Sequence, residues 1–155
     1  MADVKERPPI GAATTGYDED FHAWAFAQAE LVRERRFSEL DLPNLVEELE
    51  SMGNEVRFKL ESSYRLLISH LLKHTHQPSR RSRSWLLTIT RERGNIERIE
   101  GKNPSLRSKA GEIVQEIYRY GRKEASVETG LPLDAFPAEC PFTLDQLRDD
   151  EFLPD

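Results

Sequence analysis

"DLPNLVEELESMGNEVRFKLESSYRLLISHLLKHTH", residues 41–76, decides the fold. Its apolar positions are Leu45, Leu49, Met52, Val56, Leu60, Tyr64, Leu67 and Leu71, each three or four residues after the last. Such steps mark one face of an α-helix and exclude a strand, whose faces alternate every second residue. Gly53 costs about 1 kcal/mol in a helix interior. The stripe keeps its phase across it, so the spacing predicts one long helix ending near His76, with a break at Gly53 as the alternative. Asp41 is a good N-cap, Pro43 suits a first turn, and Pro78 stops the helix because proline lacks the N–H and clashes with the preceding turn.

Working outward, the same signals place three more long helices. The first spans about Asp18 to Arg36, with Asp18 as cap and Phe21, Trp24, Ala25, Leu31 and Val32 as its stripe. The third starts at Ser79 and ends near Glu100 before Gly101, on Trp85, Leu86, Ile89, Ile96 and Ile99. A fourth starts at Asn103–Pro104 and runs to Thr129, with Gly130 as its stop. "TLDQ", from Thr143, spells a capping box for a short fifth piece. Short links between long helices imply antiparallel neighbours. The expected fold is therefore all-α: an up-down bundle of four main helices plus a short C-terminal helix and an ordered Pro-rich tail. Residues 1–16 are expected to be a flexible head, and residues 17–155 one domain.

The totals bound the function. A chain of 155 residues can bury a core without staples. One cysteine, Cys140, excludes an internal disulfide and fits a reducing cytoplasm, where it is expected as a small buried hydrophobe. The opening "MADVKERPPIGAATTG" has no apolar core of a secretory signal, and no run suits a membrane span. A net charge of −6 disfavours nucleic-acid binding by bulk charge, without excluding a local basic patch.

Such a patch exists. Residues 70–93 hold Lys73, Arg80, Arg81, Arg83, Arg91 and Arg93 against Glu92 alone. Arg80 and Arg81 are expected in the first turn of the third helix, where the dipole disfavours cations unless an anion joins them. The anion could be the acidic tail, residues 131–155, folding back, or a molecule from outside; carbonyls at the end of the second helix could also accept from these arginines. Arginine's planar fork suits carboxylate and phosphate alike.

Catalytic patterns are weaker. His70 and His74 have the one-turn spacing of metal ligands, with His76 and His22 as remote candidates, but Lys73 stands where a zinc protease needs its carboxylate, so no metal is assigned. "RLLISH", Arg65 to His70, matches the R-x4-H pattern of helical ribonucleases, a pattern that arises easily by chance. Glu47, Glu48 and Glu50 could do acid–base work, yet Glu48 and His70 stand about 33 Å apart along a continuous helix. Glu47 and Glu48 are expected to meet Arg93 or Arg98, and the segment Tyr17 to Trp24 to lie near His70.

The motif order resembles the bacterial family known as domain of unknown function 29. The resemblance is carried by "YDEDFHAWAFAQAELVRERRFSELDLPNLVEELESMG" (17–53), "HLLKHTHQPSRRSRSWLLTITRER" (70–93), "NPSLR" (103–107), "ETGL" (128–131), "FPAECPF" (136–142) and "EFLP" (151–154). It implies a compact, mostly helical cytoplasmic protein with no assigned activity. His70 and Lys73 match the family's pattern. His74 and His76 stand where the resemblance implies aromatic residues, which points to packing roles.

The resulting expectation is a non-enzymatic binding or regulatory module. Its candidate surface is the turn between the second and third helices: His70, Lys73, Arg80, Arg81, Arg83 and Trp85. It would take an anionic ligand or an acidic protein partner; nucleic acid is not favoured, no membrane or cofactor is implied, and a homo-oligomer is allowed. The rival is a ribonuclease-like enzyme using His70 with Arg81.

Overall fold

The computed structural model describes residues 16–155; the head expected over residues 1–16 lies, Gly16 apart, outside them. The described chain is all-α. Its helices are α1 (Phe21–Arg33), α2 (Leu42–His76), α3 (Arg83–Lys102), α4 (Pro104–Arg107), α5 (Ala110–Thr129) and α6 (Leu144–Arg148). Four are long, as the stripes require. The chain divides into two compact units, Met1–Gly53 and Asn54–Asp155, and α2 contributes to both.

In the first unit, α1 starts later than its charge pattern suggests. Asp20, not Asp18, is the cap and accepts from the Ala23 amide at 2.9 Å. The preceding residues form a turn on the Gly16 carbonyl, which accepts from the Glu19 and Asp20 amides. At the other end Arg35 adopts a left-handed backbone (φ 59°), which stops the helix short of Arg36. Trp24, Gln28 and Leu31 form the buried edge of α1. Trp24 Nε1 donates to Asp41 at 3.0 Å, and the Asp41 amide donates to Gln28 Oε1 at 2.8 Å. Hydrogen bonds from Asn44 and Trp24 hold the Asp41 carboxyl below its ordinary range. Tyr17 donates to Glu48. The partners of Tyr17, Trp24 and Glu48 are thus local to this unit.

The second unit holds the hydrophobic core. Leu60, Tyr64, Leu67, Ile68, Leu71 and Leu72 of α2 pack with Ile89 and Ile96 of α3 and with Ile113, Val114, Ile117 and Tyr118 of α5. A β-carbon at Gly121 would stand 3.1 Å from the Arg65 carbonyl oxygen, so this glycine sets how closely α5 approaches α2. The expected fourth helix is two pieces: a single turn at Pro104–Arg107, then α5 from Ala110. Gly130 closes α5 in the left-handed conformation (φ 73°), as its position predicted.

The Pro-rich tail is ordered by side chains that donate to its carbonyls. Tyr118 donates to Pro137 O at 2.7 Å, Arg122 to Phe136 O at 2.9 Å and Ser126 to Leu131 O at 2.7 Å. Proline-punctuated chain cannot close its own helical ladder, so its buried acceptors must find donors elsewhere. Phe136 and Leu147 fill the core from this segment. Thr143 and Gln146 form the expected capping box of α6.

Candidate functional site

Pro78 ends α2 as predicted, but the next helix does not begin at Ser79. Pro78–Arg80 forms a tight 3-10 turn, Arg81 is extended after it, and α3 begins at Arg83 under the cap Ser82. Arg80 and Arg81 therefore precede the first turn of α3, which corrects the expected placement; Arg83 is the cation inside it. Ser82 Oγ accepts from the Trp85 amide at 3.3 Å. The amides of Arg83 and Ser84 lie too early in the helix for intrahelical acceptors.

The six cations of residues 70–93 separate into two groups. Lys73 is buried, pairs with Glu128 and places its ammonium 4.7 Å from the centre of the Trp85 ring. Trp85, half-buried, covers this lysine with its ring face. Arg81 Nε donates to the His74 carbonyl at 2.8 Å. Arg91 pairs with Glu92, and Arg93 is buried on the carbonyls of Gln146 and Leu147. Arg80 and Arg83 remain: both are exposed, and neither side chain has a hydrogen bond or ion pair with a described residue.

The acidic tail does not cover them. Among the described residues no carboxylate of residues 131–155 pairs with Arg80, Arg81 or Arg83. The tail reaches this end of the unit through its backbone, since the Pro154 carbonyl lies 3.1 Å from His74 Nδ1. With an N–H on Nδ1 the contact is a hydrogen bond donated by histidine.

The histidines disperse to separate contacts. His70 Nδ1 lies 2.8 Å from the Leu66 carbonyl, His76 meets the Phe136 ring edge-on at 4.8 Å, and His22 lies against Phe26 at 4.9 Å. No three of His, Cys, Asp or Glu converge to hold a metal among the described residues. Arg65, the other half of the ribonuclease-like pattern, pairs with Glu124 rather than pointing to His70. Cys140 is half-buried, and burial pushes its thiol above the ordinary range.

A family model described as "Domain of unknown function DUF29" matches residues 16–153. The chain belongs to the DUF29 family. No curated protein and no solved structure matches it. The family match spans both units, so the Lys73–Trp85–Glu128 cluster, Arg80 and Arg83 lie within the DUF29 domain.

Glu128 was absent from the expected site. Its signal was in the "ETGL" segment: a glutamate two residues before the helix stop sits at the negative end of the dipole, an unfavourable place unless a cation answers it. Lys73 is that cation.

Burial pushes His70 and His74 toward the neutral form. Nearby Lys73 and Arg91 add to this at His70 and Arg81 at His74, while their carbonyl contacts oppose it. A histidine whose folded pKa is depressed stabilises the fold above its unfolded pKa and loses that contribution as pH falls. The melting temperature is expected to fall between about pH 7 and about pH 5, across the unfolded histidine range. His74→Phe should flatten that slope, as differential scanning calorimetry at each pH would show; an unchanged slope would remove His74 from the titrating set.

No helix among the described residues is long and apolar enough to cross a membrane.

Proposed function

We propose that this DUF29 domain is a non-enzymatic binding or regulatory module, and that the Pro78 turn takes a small anion or an acidic segment of a partner. One observation carries the reading: Arg80 and Arg83 are exposed and have no hydrogen bond or ion pair among the described residues, in a cluster whose other four cations are all engaged internally. A protein with net charge −6 has carboxylates to spare for neutralising two arginines, yet the described ones go elsewhere. The open amides at the start of α3 add donors beside Arg83. His70, Lys73 and Trp85 act here as the frame, with Arg81 bracing the turn on the last carbonyls of α2.

The ribonuclease-like reading draws less support. His70 has its Nδ1 on a backbone carbonyl and no titratable side chain within hydrogen-bond distance among the described residues, and Arg81 is held on His74. General acid–base work needs a second positioned group.

Titrations of the protein with inorganic phosphate, a polyglutamate peptide and an RNA oligonucleotide, at several salt concentrations, test the reading. Binding to at least one of the first two is expected, with a salt slope near two because two cations are available. Arg80→Ala/Arg83→Ala should weaken it by about tenfold or more, while circular dichroism stays unchanged because neither side chain has a partner to lose. Identical curves for variant and wild type would discard the proposal.

A further inference from the structure

The first unit carries an uncovered apolar face. Leu42, Val46 and Leu49 are 58%, 53% and 65% exposed, and Met52 is 61% exposed. The first three are spaced by four and three residues, so they line one face of α2. That face differs from the one turned to α1, which Asp41 and Glu48 mark by their bonds to Trp24 and Tyr17. Single exposed apolar residues are ordinary, but a contiguous exposed stripe on a helix marks a contact surface.

The charge around this stripe selects its partner. Residues 16–53 hold ten carboxylates against three arginines, a balance of −7, whereas the whole chain carries −6. Arg33 and Arg36 are already paired within the unit, with Glu30 and with Glu34 and Glu39. Glu47 and Glu50 are exposed and have no ion pair with a described residue. Glu50 lies one turn after Val46 and edges the stripe, and Glu47, about 100° round the helix from Val46, adds to the acidic field beside it. Nucleic acid and anionic lipid would be repelled here, and a second copy would set two strongly acidic faces together. A helix with its own apolar stripe flanked by Lys and Arg satisfies both the apolar and the charge requirement. Met52 adds an adaptable side chain of the kind such grooves use.

We infer that this face docks a basic amphipathic helix from a partner protein. This is independent of the Pro78 turn, which lies in the other unit and has the opposite charge.

The test uses the full chain and three fluorescent synthetic peptides: a Leu/Lys peptide with helical periodicity, its scrambled version, and a Leu/Glu peptide of the same pattern. Anisotropy should show the patterned Leu/Lys peptide binding about tenfold or more tighter than the scrambled one, with the Leu/Glu peptide not binding. Val46→Ser/Leu49→Ser and Glu47→Lys/Glu50→Lys should each weaken binding by about tenfold, without loss of helicity, because all four side chains are exposed. Absence of binding by the patterned Leu/Lys peptide would sink the inference. So would equal binding of the scrambled peptide, or binding that ignores both double variants. Sedimentation of the peptide-free protein completes the test: a dimer that Val46→Ser/Leu49→Ser dissolves would assign the face to a second copy and overturn the partner proposed here.

Discussion

Glu100→Ala is expected to destabilise the second unit by about 3–5 kcal/mol, the range for removing one partner of a buried charge pair. Glu100 is 1% exposed and is the hub of a polar network. It accepts from the Tyr64 hydroxyl at 2.6 Å and from Arg148 through Nε at 3.0 Å and a terminal nitrogen at 3.1 Å. Arg107 stands 3.5 Å away. Burial and the Glu100 carboxylate together hold the Tyr64 phenol above its ordinary range, so Tyr64 is a committed donor. Alanine would leave the buried Tyr64 donor and the partly exposed Arg148 fork without their shared acceptor, and an orphaned buried donor keeps its full desolvation penalty. Glu100→Gln keeps one oxygen acceptor but turns an N–H toward a donor, so about half the loss is expected. Glu100→Leu/Arg148→Met should recover part of the single-variant loss, since removing both charges avoids the unpaired one. Urea unfolding of the four proteins decides it: a loss below about 1 kcal/mol for Glu100→Ala would mean that water reaches the network.

The helices were legible because burial writes a period into sequence, and several boundaries were legible where proline or glycine enforces them, although Gly101, expected as a stop, lies within α3, which runs to Lys102. Pro43, Pro78 and Gly130 all act as their chemistry dictates. The break between α4 and α5 had no such signal; Lys109 leaves helical geometry (φ −99°, ψ 4°) with an ordinary side chain. Ser82 was a readable cap, but Ser79 offered the same chemistry three residues earlier, and only the 3-10 turn at Pro78 selects between them. Leu49 and Met52 belong to the same apolar stripe of α2 as the core residues Leu60 and Leu67, yet they are exposed. Periodicity reports that a face is apolar and is silent on what covers it. The basic cluster was found by counting charges, which cannot tell cations engaged internally from free ones. Arg81 donates to a carbonyl at the end of α2, where open helix-end acceptors are expected, but Arg93 and Arg122 donate to carbonyls of the tail, which no residue type betrays. Of the alternatives for the basic turn, the tail does not supply carboxylates among the described residues; it docks through its backbone acceptors.

Arg93→Leu is expected to release α6 and cost about 2–4 kcal/mol, because a fully buried guanidinium there serves two acceptors at once. Arg93 is 3% exposed; its Nε donates to Leu147 O at 3.0 Å and a terminal nitrogen to Gln146 O at 3.1 Å. Burial pushes its pKa below the ordinary arginine value, opposed by the more distant Asp150 and Asp149. Leucine matches the environment but leaves both carbonyls without a donor. Arg93→Lys keeps the charge, yet an ammonium lacks the planar fork that meets two oxygens in fixed geometry, so an intermediate loss is expected. A five-residue helix has no stability of its own, and α6 persists only while something holds it. Hydrogen exchange gives the sharpest reading. In Arg93→Leu the Leu147 and Asp149 amides, bonded within α6 to Thr143 and Asp145, should lose protection while the Ile117 amide of α5 keeps most of it. Retained protection at Leu147 would show that burial of its side chain alone anchors α6. Because Glu100 grips the same helix through Arg148, the two sites should couple: once Arg93→Leu has loosened α6, Glu100→Ala should cost less than it does in the wild type.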